Sequence, residues 1–198
     1  MEQMPMPGRS TPARQVNIEG WAKWFQFQTL NEPALEKMVI AAANFILDVR
    51  ENKPCPWLVL LGTSGAGKTH VARRIWRWWD KFLKFDVLPR SGQFCKFPNF
   101  IKECKGGDYG RTEDLTEDRF VVLDDIGAGA DPKPWIASTL LQIIENRLDT
   151  ESRKTTIITA NLSLEQIGDM YDTRIASRLI RRGQDKVVEV NVTDYKLR

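Results

Sequence analysis

One eight-residue stretch limits the fold of this chain more than any other. Gly62-Thr63-Ser64-Gly65-Ala66-Gly67-Lys68-Thr69 follows the apolar run Trp57-Leu58-Val59-Leu60-Leu61 and precedes a helical pattern. The spacing is G-x-x-x-x-G-K-[ST]. Glycines let the backbone turn so that several N–H groups point at one anion, and a helix N-terminus behind the turn favours negative charge there. A lysine at the end of such a turn reaches β- and γ-phosphates, and the hydroxyl after it ligates Mg²⁺. Lys68 and Thr69 are therefore the expected phosphate and metal residues, with Lys68 expected to be exposed in the loop. The turn needs a strand to deliver it and a helix to receive it, which commits the chain to an α/β fold.

The rest of the sequence alternates accordingly. A helix is predicted from Gly67 to about Phe85, with Val71, Ile75, Trp78 and Phe82 on one face. Residues 94–97 read as a weak strand, followed by a short helix near 99–105. Residues 119–125 form a strong strand, 134–149 an amphipathic helix, and 154–160 another strand. Ser163 and Gln166 have capping-box spacing for the next helix. Residues 172–182 are helical, and 186–192 close as a strand. Strands separated by helices give a parallel five-stranded sheet flanked by helices. Upstream, Asn31 is the expected cap of a helix starting at Glu32-Pro33 and carrying Leu35, Met38, Val39, Ala42, Phe45, Ile46 and Val49. Residues 1–16 read as a disordered tail. Trp21, Trp24, Phe25 and Phe27 then either pack onto the domain or dock a partner. The expected division is 1–30 as tail and aromatic segment, with partner-docking as a candidate role, and 31–198 as the main domain.

Three further segments carry chemistry. "VVLDDIG" puts two acids at the C-terminal end of a strand, the edge where α/β sheets bind ligands. Asp124, 56 residues after Lys68, is expected to hold Mg²⁺. Asp125 is expected to polarise the attacking water. Asn161 stands just past the 154–160 strand, where a neutral amide can orient that water or touch the γ-phosphate. Arg174, Arg178, Arg181 and Arg182 lie on the helix beyond it.

Charge distribution suggests a partner. Residues 71–105 hold nine bases against three acids, a net of +6, and residues 106–151 hold four bases against eleven acids, a net of −7. Clustered cations suit a polyanion. Lys96, Phe100, Lys102 and Lys105 are the candidate DNA contacts, since cations plus an aromatic suit a single strand. Three cysteines without C-x-x-C spacing and one histidine argue against a disulfide framework or a zinc site, and for a reducing cytoplasm. No run approaches the roughly 18 apolar residues of a membrane span.

The ordered set "LLGTSGAGKTHVA", "VVLDDIG", "ITANLSLEQI" and "RIASRLI" resembles the AAA+ ATPases, and within them the DnaC-type helicase loaders and IstB-type transposition helpers. The likeness covers about residues 30–192 and includes His70. It implies an AAA+ P-loop core. Its nucleotide-binding set is Gly62, Thr63, Ser64, Gly65, Ala66, Gly67, Lys68, Thr69 and His70. It also implies Asn161 as sensor 1 and Arg178 as an arginine finger supplied to a neighbouring subunit. The cofactors implied are ATP and Mg²⁺. The partners implied are a replicative helicase or a transposase, single-stranded DNA, and further copies of the chain assembled with ATP. Two departures stand out. Asp125 occupies the position where most AAA+ proteins have glutamate, and no C-terminal lid domain is expected after the fifth strand. The leading expectation is an ATPase that loads a replicative helicase onto single-stranded DNA. The alternatives are a transposition helper on duplex DNA and a weakly hydrolysing, nucleotide-gated adaptor. A small-molecule kinase fits poorly, because "LDDIG" with a downstream Asn and "SRL" does not match a kinase scheme.

Overall fold

The computed structural model describes residues 16–82, 92–106, 110–128, 133–148, 154–181 and 186–193. The elements in chain order are α1 Ile18–Phe25, α2 Pro33–Arg50, β1 Trp57–Gly62, α3 Lys68–Phe82, β2 Gln93–Lys96, α4 Phe97–Lys105, α5 Gly110–Glu117, β3 Phe120–Ile126, α6 Pro134–Leu148, β4 Thr155–Ala160, α7 Leu164–Met170, α8 Thr173–Ile180 and β5 Val187–Val190. The five strands form one sheet in the order β2-β3-β4-β1-β5, every pairing parallel. Parallel strands are covered on both faces, which is why β1, β3 and β4 are buried along almost their whole length, without alternation.

Side chains alternate across the sheet and divide the core in two. Leu58, Leu60, Phe120, Val122, Ile157 and Val190 face α1, α2 and α3. Trp57, Val59, Leu61, Val121, Leu123 and Ile158 face the layer of α4 to α8. Trp21, Trp24, Phe25 and Phe27 are all buried in the first of these layers, so this aromatic segment packs onto the domain. Trp21 and Phe25 both contact Trp24 edge-on, at centroid distances of 5.6 and 5.0 Å.

Several local expectations need correction. Asn31 does not cap α2. It adopts φ +58°, and the cap position belongs to Glu32, which makes no side-chain cap bond. α4 begins two residues earlier than expected, with Pro98 in its first turn. α5 was not anticipated; Leu115 is its only buried apolar residue, so it carries almost no periodic signal. The Ser163–Gln166 capping box is present in both directions. Residues 1–15, 83–85 and Arg182 from the expectations above lie outside the described residues. Among the described residues, no helix is long and apolar enough to cross a membrane.

Candidate active site

The central order β3-β4-β1 brings the ends of three strands together. β1 delivers the glycine turn, β3 delivers Asp124 and Asp125, and β4 delivers Asn161. Two glycines are dictated by geometry. At Gly62 (φ +108°) a Cβ would strike the Val190 carbonyl, and at Gly67 (φ +87°) it would strike the Phe27 ring.

Lys68 is not exposed, as the sequence suggested, but 5% accessible. Its ammonium donates to the Gly62 carbonyl at 2.9 Å, the Thr63 carbonyl at 2.6 Å and Asn161 Oδ1 at 2.9 Å. Burial pushes its pKa down to about 8, against the opposing pull of Asp125 and Asp124. Asn161 Nδ2 in turn donates to Asp125 Oδ1 at 2.6 Å. One amide thus joins the loop cation to the acid expected to handle water. Burial, then the neighbouring Asp124 charge, raise the Asp125 pKa, while Lys68 and Lys96 oppose the rise. A carboxyl raised in this way is better matched to accepting a proton near neutrality.

Asp124 is 3% exposed. Its Oδ1 accepts from Thr69 Oγ1 and from Thr159 Oγ1, both at 2.8 Å. Thr159 also accepts the Asp125 N–H at 2.9 Å, so one hydroxyl orients both acids. Sequence reasoning missed Thr159. A threonine inside an apolar strand, beside a strand ending in Asp-Asp, was the available signal.

A cavity of about 490 Å³ opens over the glycine turn. Ser64 to His70, Asp125 and Asn161 line it, joined by Gln26 and Phe27. The last two were also missed as site residues. Gln26 caps α1 in the left-handed region (φ +53°), and that reversal carries Phe27 onto Gly67. His70 Nε2 lies 2.7 Å from the Phe25 carbonyl, and its ring stacks with Phe27 at 6.4 Å. Thr63 Oγ1 donates to the Val192 carbonyl at 2.6 Å, tying the turn to the chain after β5.

Other candidates lie elsewhere. The Arg178 guanidinium pairs with Glu145 of α6, Nη2 at 3.1 Å, and Arg174 pairs with Asp172 at 2.8 Å. Neither arginine lines the cavity over the glycine turn. Lys96, Lys102 and Lys105 are exposed. Phe100 is a correction: at 0% exposure its ring lies in the core, 5.9 Å from Phe97, and cannot stack on a base. Phe97, Phe100, Ile101 and Cys104 form the buried stripe of α4.

No family model matches the chain. The "Insertion sequence IS232 putative ATP-binding protein" of Bacillus thuringiensis subsp. berliner is 26% identical over 186 residues, covering 88% of this chain and 65% of that protein. The chain therefore spans a little under two thirds of this curated relative. The crystal structure of DnaI superposes with a TM-score of 0.63 at 20% identity, covering 86% of this chain and 88% of that one. The chain is thus similar to proteins of the DnaC/IstB type in sequence and in fold. The crystal structure of the DnaC helicase loader agrees in fold, with a TM-score of 0.61 at 19% identity over 81% of this chain and 92% of that one. The expected parallel five-stranded sheet flanked by helices is thus the observed fold, and it is the fold of these structures.

Proposed function

We propose that this chain binds and hydrolyses ATP and, gated by that cycle, loads a replicative helicase onto single-stranded DNA. The observation that carries the reading is the Lys68–Asn161–Asp125 chain, which links the turn that would hold phosphates to the acid that would activate water. The backbone N–H groups of Gly65 to Thr69 and the Lys68 ammonium would bind the phosphates. Asp125, oriented by Asn161 and Thr159, would take the proton of the attacking water. Thr69 and Asp124 fit a magnesium ion, because a hydroxyl and a buried carboxylate already converge at 2.8 Å and offer hard oxygen donors. The ion would neutralise charge on the β- and γ-phosphate oxygens. Arg178, remote from its own cavity, would serve the site of a neighbouring copy.

Two features support helicase loading: the likeness to DnaI and DnaC across most of those chains, and the exposed cations of α3 and α4. A second reading, a transposition helper on duplex DNA, is favoured by the insertion-sequence relative. Binding measured against the purified cognate helicase and the purified transposase separates them. Phosphate release with and without single-stranded DNA is expected to show Mg²⁺-dependent turnover that DNA or assembly stimulates. A chain that binds ATP but releases no phosphate under any of these conditions is an adaptor instead.

Lys68 supplies a sharper test. Phosphate binding needs the protonated ammonium, and the free protein loses that proton near pH 8. ATP affinity is therefore expected to fall as pH rises above this value, by up to about tenfold per unit, until the pKa of the complex is reached. Lys68→Ala should bind ATP at least about 100-fold more weakly and show no such pH dependence. Calorimetric titrations at several pH values check both. A flat profile for the parent above pH 8, or parent-like affinity in Lys68→Ala, overturns the role given to Lys68.

A further inference from the structure

The cation-rich segment contains an aromatic surface that the burial of Phe100 leaves unassigned. On α3, Val71, Ala72, Ile75, Trp78 and Trp79 face the core. Arg73, Trp76 and Arg77 recur at three and four residues on the other side, so they share one stripe. Trp76 and Phe94 are only half-buried, although both rest against the core. They meet edge to face at 5.9 Å and 71°. The Arg73 guanidinium lies over Phe94, 5.0 Å from its centroid. Phe94 belongs to β2, an edge strand of the sheet. Exposed Lys96 lies two residues on and so projects from the same face. Cys95 points into the opposite core layer. Arg73, Arg77 and Lys96 form no ion pair among the described residues, although Lys96 lies near enough to Asp125 to oppose the rise in its pKa.

We infer that this α3–β2 face, built on Arg73, Trp76, Arg77, Phe94 and Lys96, is the seat of a single-stranded DNA segment. The inference rests on the proposed action on single-stranded DNA and names the surface for it. The three cations complement phosphates at several points along a strand. The half-open aromatic pair and the guanidinium lying on Phe94 provide planar surfaces on which unpaired bases stack. A duplex keeps its bases stacked on each other and gains only the phosphate contacts. Single strands are therefore preferred over duplex of the same length.

The test is fluorescence anisotropy with a labelled oligothymidylate, and with a duplex of equal length, across a salt series and with a non-hydrolysable ATP analogue present. The double variant Arg73→Glu/Arg77→Glu is expected to bind the single strand at least about tenfold more weakly. Losing two phosphate contacts should also reduce the log–log salt slope by about 1.4. Trp76→Leu is expected to lose about tenfold with the slope unchanged, since stacking releases no counterions. The α4 pair Lys102→Glu/Lys105→Glu should lose less than the α3 pair. ATP-analogue affinity serves as the folding control, and Arg77→Glu alone, which spares the Arg73–Phe94 contact, covers a misfolded double variant. If the parent binds the single strand and both Arg77→Glu and the double variant match it, this surface is overturned while action on single-stranded DNA stands. Tighter binding of duplex than of single strand overturns the stacking role. A parent that binds no oligonucleotide overturns the DNA reading itself, and this inference with it.

Discussion

Arg178→Ala is expected to bind ATP as the parent does and to hydrolyse it about 10³–10⁵-fold more slowly, the range that an arginine finger supplies in other P-loop enzymes. Phosphoryl transfer spreads charge over the γ-phosphate oxygens, and a guanidinium placed there stabilises it. Arg178 lies on α8 and pairs with Glu145 of α6, while every residue lining the cavity over the glycine turn comes from other elements. A finger role then requires a second copy of the chain. The Glu145 pair is partly exposed, and such pairs contribute only about 0–1 kcal/mol, so releasing Arg178 to a neighbour costs little. Three measurements follow. Specific activity of the parent should rise with protein concentration. Arg178→Ala mixed with Lys68→Ala should recover part of the lost turnover, because the first keeps a complete phosphate pocket and the second keeps a finger. Arg174→Ala, one turn earlier on the same helix, should retain most activity. Full turnover by Arg178→Ala alone, or by a dilute monomer, rules out a shared site.

The largest stability effect is expected at Arg147, far from the phosphates in role. Its side chain is 0% exposed, and burial pushes its pKa down to about 9. Its donors reach Thr156 Oγ1 at 2.9 Å and the carbonyls of Leu115, Asp118 and Thr155 at 2.9, 2.8 and 2.7 Å. One guanidinium thus ties the last turn of α6 to the start of β4 and to the end of α5. Arg147→Ala strands four acceptor oxygens, three of them buried, and opens a cavity. A loss of about 3–5 kcal/mol is expected, a large part of the roughly 5–15 kcal/mol that holds a domain folded. In a chain of this size that lowers Tm by about 6–20 °C. Arg147→Lys keeps the charge but not the planar fork, and should fall between the two. Thermal melting in which Arg147→Ala loses less than about 1 kcal/mol overturns the assignment.

How much of this was legible beforehand varied with how local each cause is. The positions of the glycine turn, Asp124 and Asn161 could be read because each sits at the end of a run rich in apolar and β-branched residues, and parallel strands gather their C-terminal ends at one edge. The geometry of Lys68 could not be read. Its burial depends on Asn161 reaching it from a different strand, 93 positions away in sequence. The Phe27 ring lies over Gly67 because Gln26 reverses the chain, and no pattern in the aromatic segment announces that partner. Phe100 was legible and was misread. Phe97, Phe100, Ile101 and Cys104 recur at three, four and seven residues, the spacing of a buried helical stripe, and the lysines beside them drew attention to the wrong property. Trp76 and Phe94 escaped notice for a related reason: they are 18 residues apart in sequence and become neighbours only when α3 packs against β2.

Asp125 adopts φ +65°, at a break in register between β3 and β4 that runs from Leu123 to Ile126. Of the side chains with a Cβ, asparagine and aspartate tolerate that region best, because a short polar group can bond locally. The kink therefore acts as a filter on substitution: it admits a short acid and disfavours the longer glutamate that most AAA+ proteins carry at this position. Exchanging Asp125 for glutamate would ask the backbone to unwind, or the carboxylate to leave Asn161, before any longer reach became useful. If the proposed hydrolysis holds, a faster variant would have to be sought by changing the bend and the acid together.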